Sequence, residues 1–237
     1  RIIRKENEMR QEELQAACKV SCLFECLEET LAQDLLEKVE YPWEALGQIG
    51  DFIAKLGPTL PSEEYEEREG QVWIARTAKV YPNTTIIGPT IIGPDTEVRP
   101  GAFIRGNALV GSGCVVGNST ELKNVIIFNC VQVPHYNYVG DSILGYKSHM
   151  GAGSITSNVK ADKSLVEIKS GEARIETGRK KVGAILGDFV EIGCNTVLNP
   201  GSVIGCHSNV YPLSMVRGYV PAESIYKKQG EVVQKHE

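Results

Sequence analysis

The stretch Thr90-Ile91-Ile92-Gly93-Pro94-Asp95-Thr96-Glu97-Val98-Arg99-Pro100-Gly101-Ala102-Phe103-Ile104-Arg105 decides the fold. Ile92, Val98 and Ile104 stand six apart, and the same phase runs without a slip through Ile74, Val80, Ile86, Ile92, Val98, Ile104, Val110, Val116 and Leu122. No helix or ordinary strand has that period. Two residues before them stand Ala78, Thr84, Thr90, Thr96, Ala102, Ala108, Cys114 and Thr120, all small. Gly93, Gly111 and Gly117 follow three of them, where glycine is expected to supply backbone angles that a side chain opposes. A fixed short repeat of this kind marks a solenoid. The hexads predict a triangular coil of three short strands, about eighteen residues per turn at the parallel-strand spacing of roughly 4.8 Å. The aliphatic residue points inward and the small one fits beside it near a corner.

The repeat continues with five-residue steps through Val133, Val139, Leu144 and Met150, with Gly140, Gly145 and Gly151 each following, and it stops at Ser157. It returns at Leu186, Ile192, Leu198, Ile204, Val210 and Val216. Between these blocks, residues 157–183 carry five lysines, two arginines and a hairpin pattern (Leu165 to Ile168, then Arg174 to Glu176), so they read as an excursion from the prism. It is expected either to be a solvated loop or to reach a neighbouring subunit. Upstream, Leu14, Cys18, Cys22, Leu27, Leu31, Leu35 and Val39 predict one amphipathic helix over about 6–39. Tyr41-Pro42-Trp43 breaks it, and a second helix runs to Gly57-Pro58. Ser62 to Gly70 reads as an acidic loop. The expected organisation is a helical extension over 1–70, the β-helix over 71–221 and a tail over 222–237, with helices and tail flanking the prism's open ends.

At 237 residues the chain can bury a large core without disulfides, and its seven cysteines are odd in number with no CxxC pair, so it reads as reduced and cytoplasmic. Cys18, Cys22 and Cys26 fall at i, i+4, i+8, but one helix does not close a tetrahedral metal site, so they are assigned to packing and no metal is expected. His135, His149, His207 and His236 lack the paired spacing of a zinc carbonic anhydrase. The opening Arg1-Ile2-Ile3-Arg4-Lys5-Glu6 lacks the apolar core and small-residue cleavage site of a signal peptide, and no apolar run is long enough to span a bilayer, so no membrane partner is expected. A net charge of −5 gives no general pull toward nucleic acid, so any anionic ligand must meet a local basic cluster.

Such a cluster is predicted by stacking. Arg105 follows Ile104 and Lys123 follows Leu122, eighteen residues apart, which places both outward on one face of successive coils. Tyr138, beside Val139, extends the group on the next coil, while Arg99, one rung earlier, belongs to another face. Guanidinium and ammonium stacked in this way suit a phosphate. His135 lies two past the inward Val133, at a corner, where an imidazole can take a proton from an amine.

Residues 98–217 resemble the C-terminal acetyltransferase domain of the bifunctional N-acetylglucosamine-1-phosphate uridyltransferase/glucosamine-1-phosphate acetyltransferases, including their archaeal relatives. The resemblance rests on Ile104-Arg105, Glu121-Leu122-Lys123, His135-Tyr136-Asn137-Tyr138-Val139-Gly140-Asp141, Gly151-Ala152-Gly153, Asn158 and Lys181. It implies a left-handed coil, against the usual crossover preference, and an acetyl-CoA-dependent N-acyltransferase acting on an amino-sugar phosphate such as glucosamine-1-phosphate. It implies His135 as general base; Arg105, Lys123, Tyr138 and Lys181 on the sugar phosphate; and Ala152, Asn158, Cys194 and Pro212 along the acetyl-CoA path. Acetyl-CoA would be a co-substrate, with no tightly bound cofactor. His149 stands where the family has a sugar-contacting Asn, and the family's C-terminal CoA arginine has no match, although Lys227 and Lys228 are near. Residues 1–73 hold no nucleotidyltransferase motif, so the chain reads as a stand-alone acetyltransferase domain. A homotrimer is expected, with His135 near the cleft between prisms. The competing reading is a non-catalytic trimerisation or regulatory module of sugar-nucleotide synthesis, which has no use for a base histidine or a basic column.

Overall fold

The computed structural model describes residues 9–228 and 231–234. Residues 72 onward wind into a left-handed parallel β-helix with three sheet faces. One face stacks Val72–Ala75, Thr90–Ile92 and Ala108–Val110, then the second halves of Glu121–Ile127 and Tyr138–Leu144, then Ala184–Leu186 and Ser202–Ile204. A second face runs from Lys79–Val80 through Val115–Asn118, Gln132–His135 and His149–Met150 to Ser224–Lys228. The third carries Thr85–Ile87, Phe103–Arg105, the first halves of Glu121–Ile127 and Tyr138–Leu144, Ile155–Thr156, Val197–Leu198 and Met215–Val216. Ile92, Val98, Ile104, Val110, Val116 and Leu122 are all fully buried inside the prism, as their period requires.

The glycines of the repeat act differently from the expectation. Gly93, Gly111 and Gly117 are not among the residues with positive φ; the corners are turned instead by Asp95, Asn107, Ser119 and others at φ near +50°. Gly93 is needed because a Cβ there would lie 2.6 Å from the carbonyl carbon of Gly111 on the next coil. The constraint is close stacking of coils, not backbone angle.

The first face is apolar on both sides. Ile91, Leu109, Ile126, Ile143, Ile185 and Val203 point outward from it and yet are completely buried, because the N-terminal segment covers them. The helical segments therefore lie along a flank rather than over the ends. The helix Ile49–Leu56 lies against Thr90–Ile92, Ala108–Val110 and Glu121–Ile127, and Pro42–Ala45 against Tyr138–Leu144. Leu14, Leu23, Leu36, Trp43, Leu46, Ile49 and Ile53 join the prism residues in one continuous core.

The single helix expected over 6–39 does not form; its first residues, 6–8, lie outside the described ones. Helical turns span Gln11–Ala17, Val20–Leu23 and Gln33–Leu36 only. Lys19 (ψ 152°) and Phe24 (ψ 94°) are extended and interrupt them. Tertiary contacts explain the breaks: Phe24 stacks on Phe128 at 4.8 Å, and the Cys26 amide donates to the fully buried Asp188 carboxylate at 2.7 Å. Cys18 is buried and its thiol is pushed up to about 12 by that burial, so it packs as a neutral group, and Cys26 lies beyond the break. The acidic stretch read as a loop contains a strand, Tyr65–Arg68, antiparallel to Val72–Ala75.

The excursion is in part packed and in part exposed, with residues 161–165 open to solvent. Its hairpin, Glu167–Ser170 with Ala173–Glu176, buries Val166, Ile168, Ala173 and Ile175 against its own chain, and Gln11 exchanges two hydrogen bonds with the backbone of Arg174. In the tail, Ser224–Lys228 adds a rung to the second face and Glu231–Gln234 closes it antiparallel; residues 229–230 and 235–237, including His236, lie outside the described ones. Among the described residues no helix is long and apolar enough to cross a membrane, and all seven cysteines are free thiols.

Candidate active site

The polar constellation lies on the third face. Leu122 pairs with Ile104 across adjacent coils, which sets Lys123 directly over Arg105, both outward. The next coil departs from the eighteen-residue spacing: Leu122 pairs with Val139, only seventeen on, so Gly140 stands over Lys123 and Tyr138 over Glu121. Tyr138 thus shares the face but not the file of the two cations. The missing residue comes out of the corner, where Asn124 (φ 54°) and Asp141 (φ 49°) each turn the chain in a left-handed conformation.

That tightened corner concentrates charge and hydrogen bonding. The Arg105 guanidinium donates to Glu121 at 2.5 Å, and this bond holds its pKa above the ordinary arginine value. The Lys123 ammonium lies 3.3 Å from Asp141. Asp141, buried to 5% exposure, also accepts from the Asn124 amide at 2.9 Å and the Asn158 amide at 2.5 Å. Burying a carboxyl group is costly unless its oxygens find such partners. The Asn158 amide also reaches the Tyr138 hydroxyl at 3.3 Å. Burial first, then the Asp141 and Glu121 charges, raise the Tyr138 phenol above its usual range, so it remains a proton-bearing donor at neutral pH.

The opposite edge of this face, where the second face turns into it, carries His135. The register Gln132↔His149, His149↔Glu191 and Glu191↔Asn209 places Ala152, Cys194 and Pro212 successively above His135. The corner ladder agrees: Gly153 donates to His135 at 3.0 Å, Asn195 to Ala152 at 2.8 Å and Leu213 to Cys194 at 2.9 Å. His135, Cys194 and Pro212 are exposed and Ala152 half-buried, giving an edge of about 14 Å over three coil steps. Among the described residues the His135 ring has no hydrogen-bond partner, while its backbone N–H donates to Asn137 at 3.0 Å. Asn137, 2% exposed, in turn donates to Gly151 and Ser154 carbonyls, which pins the corner.

The remaining expected residues separate. His149 points out from the second face and bonds Glu191 at 2.8 Å, away from the cations. Asn158 joins Tyr138 and Asp141 rather than the Ala152 edge. Lys181 is exposed and bridges to Val159, next to Asn158, whose carbonyl accepts from Val182 at 3.1 Å. Arg99 bonds Glu97 at 2.9 Å on the second face. Glu121, Asn124 and Asp141 had been given no role from the sequence, although all three stand at or beside the five-residue steps.

A parallel β-helix of hexapeptide repeats, with a basic pair on one edge of a face and a histidine heading a row of short side chains on the other, defines the class. The chain belongs to the GMPPB C-terminal domain family, whose pattern matches residues 86–211. It is similar to the bifunctional protein GlmU of Methanococcus maripaludis, with 34% identity over 197 residues, 82% of this chain and 48% of that protein. A bifunctional sugar-1-phosphate nucleotidylyltransferase/acetyltransferase of Sulfurisphaera tokodaii is 32% identical over 165 residues, 70% of this chain and 41% of that protein. The chain spans about half the length of these curated relatives. Among solved structures, a hexapeptide transferase family protein from Anaplasma phagocytophilum aligns with TM-score 0.40 and 18% identity over 70% of this chain and 81% of that one.

Proposed function

We propose that the chain is an acetyl-CoA-dependent N-acetyltransferase acting on the amine of an amino-sugar phosphate such as glucosamine-1-phosphate. One observation carries the reading: a single face offers a basic pair, Arg105 and Lys123, on one edge, and His135 with the open Ala152–Cys194–Pro212 row on the other. The row suits the extended pantetheine arm, since short or ring-limited side chains leave the backbone accessible. The names of the relatives, which include sugar-1-phosphate nucleotidylyltransferase/acetyltransferase, support the same chemistry.

An ammonium is no nucleophile, so the acceptor reacts as the free amine, its ammonium proton having passed to solvent, and its nitrogen must lose a second proton as it attacks the thioester carbonyl. His135 takes that proton; the tetrahedral oxyanion then collapses to the amide, expelling the CoA thiolate, which accepts the proton back. Arg105 and Lys123 hold the phosphate and fix the amine in place. The two roles separate kinetically. His135→Ala is expected to lower kcat on the order of 10²-fold with little change in KM. Arg105→Ala and Lys123→Ala are expected mainly to raise KM for the sugar phosphate. Steady-state assays of thiol release, together with calorimetric titration of acetyl-CoA, test the proposal. Absence of saturable acetyl-CoA binding at millimolar ligand would replace it with the scaffold reading.

A further inference from the structure

A cleft of about 570 Å³ opens where the tightened corner meets the helical cover, lined by Gly47, Gly50, Asn107, Lys123, Asn124 and Arg179 among others. It continues the basic edge around the corner, since Lys123 belongs to both. Arg179 reaches it from the excursion. Its Nε is buried without a hydrogen-bond partner, and no acceptor among the described residues meets the rest of its guanidinium. Arg179 is half-buried, so only its Nε is shut off from water, an unpaired donor that carries a cost, while the two Nη groups stay open to the cleft with their hydrogen bonds free for an incoming acceptor.

The surroundings are shaped to keep the arginine there. A Cβ on Gly47 would lie 2.9 Å from Arg179 Nη1, so the guanidinium rests where a side chain would stand. Gly50, in the first turn of the helix Ile49–Leu56, leaves room for Asn107, whose Oδ1 would be 2.5 Å from a Cβ at that position. Of the two acidic residues at the cleft, Asp141 is already matched by Lys123, Asn124 and Asn158, and Asp51 lies exposed at the rim. Asp51 is hydrated there, whereas the Arg179 Nε is the unpaired polar atom shut off from water.

We propose that Arg179, acting with Lys123, binds the distal phosphate of a diphosphate-linked acceptor: the amino sugar lies across Tyr138, its first phosphate meets Arg105 and Lys123, and the second turns the corner into the cleft. The inference rests on the acyltransferase reading and narrows its substrate class from a sugar monophosphate to a sugar diphosphate ester. Arg179 has no partner to lose by binding, whereas Arg105 and Lys123 must loosen existing ion pairs.

The test compares UDP-glucosamine with glucosamine-1-phosphate, by calorimetric binding and by acetyl transfer, in wild-type protein, Arg179→Met and Arg179→Lys. Wild type is expected to bind the diphosphate ester at least ten-fold more tightly. Arg179→Met should abolish that preference while leaving monophosphate binding within about three-fold, and Arg179→Lys should restore part of it. A wild type with no preference for the diphosphate ester, or an Arg179→Met loss equal for both ligands, would overturn the proposal. Should the diphosphate ester bind through Arg179 but neither compound be acetylated, the acyltransferase reading fails while the anion position stands.

Discussion

Leu109 provides the sharpest test of the covered face. Under the hexad rule alone it points outward from its strand, between the inward Ala108 and Val110, and would be a solvent-facing residue of little consequence. In the structure it is completely buried beneath the helix Ile49–Leu56. Leu109→Ala removes about three methylene equivalents at roughly 0.8 kcal/mol each, or about 2.4 kcal/mol of transfer free energy. The cavity left against two rigid layers adds to this, giving an expected cost of about 3–4 kcal/mol within the usual Leu→Ala range. Ile87→Ala, outward on the third face and 49% exposed, should cost less than about 1 kcal/mol. Urea denaturation followed by far-UV circular dichroism and tryptophan fluorescence measures both. Trp43 in the cover and Trp73 in the first rung are 1% and 3% exposed, so fluorescence reports the joint between the layers. Equal costs for the two variants, or a fluorescence transition that precedes the dichroism transition, would refute the view that cover and prism form one cooperative core.

Three further outcomes are expected. Burial raises the carboxyl pKa of Asp188 above its ordinary value, so as pH falls toward the unfolded-state value near 3.9 the folded chain binds a proton that the unfolded chain does not. This contribution to stability grows toward acid, and the stability difference between wild type and Asp188→Asn should be larger at pH 4.5 than at pH 7 in paired thermal melts; a smaller difference at the lower pH would contradict it. Light scattering at micromolar concentration should give three times the chain mass, because His135 and the row above it lie open on a single prism; a monomer would remove the proposed cleft between subunits. Arg99→Ala should leave KM for the sugar phosphate unchanged, since Arg99 faces outward beside Glu97 on the second face; a raised KM there with an unaffected Arg105→Ala would displace the site by one rung.

The prism was legible because an inward aliphatic every sixth residue has no other structural use. The covered face was not read from the sequence: Ile91-Ile92, Leu109-Val110, Ile126-Ile127, Ile143-Leu144, Ile185-Leu186 and Val203-Ile204 double the aliphatic there, as a face buried on both sides allows, but Val115-Val116, Val197-Leu198 and Met215-Val216 do the same on faces whose outer residue stays half-buried or exposed. The breaks in the N-terminal helix were not legible, because they depend on Phe128 and Asp188, each more than a hundred residues from Phe24 and Cys26. The packed hairpin was partly so, since Val166, Ile168, Ala173 and Ile175 alternate as a half-buried pair of strands does, although the surrounding lysines dominated the reading. Arg105 and Lys123 followed from spacing alone; Arg179 did not, since no local signal relates it to Gly47.

The site residues cluster where the repeat shortens, and the geometry supplies a reason. At the six-residue corner between Ile104 and Val110 both Gly106 (86°) and Asn107 (48°) have positive φ, whereas the two shortened corners that follow have one such residue each, Asn124 and Asp141. Removing a residue draws the corner inward and stacks these two polar side chains on consecutive coils within hydrogen-bonding distance, 2.9 Å apart. A carboxylate fixed there at 5% exposure sets the orientation of Lys123 below it and Asn158 above it. A corner of ordinary length would leave Asp141 further out, where solvent would compete for each of those bonds. The five-residue steps from Leu122 to Ile127 and from Val139 to Leu144 therefore belong to the architecture of the proposed site: they turn a uniform outer surface into one recessed, charge-ordered edge. Inserting a single Gly after Asn124 would restore the six-residue step without touching any side chain of the site. The insertion should leave the prism folded by circular dichroism while raising KM for the acceptor at least as much as Lys123→Ala does. An insertion variant with unaltered KM would mean that the shortened corner is incidental to binding.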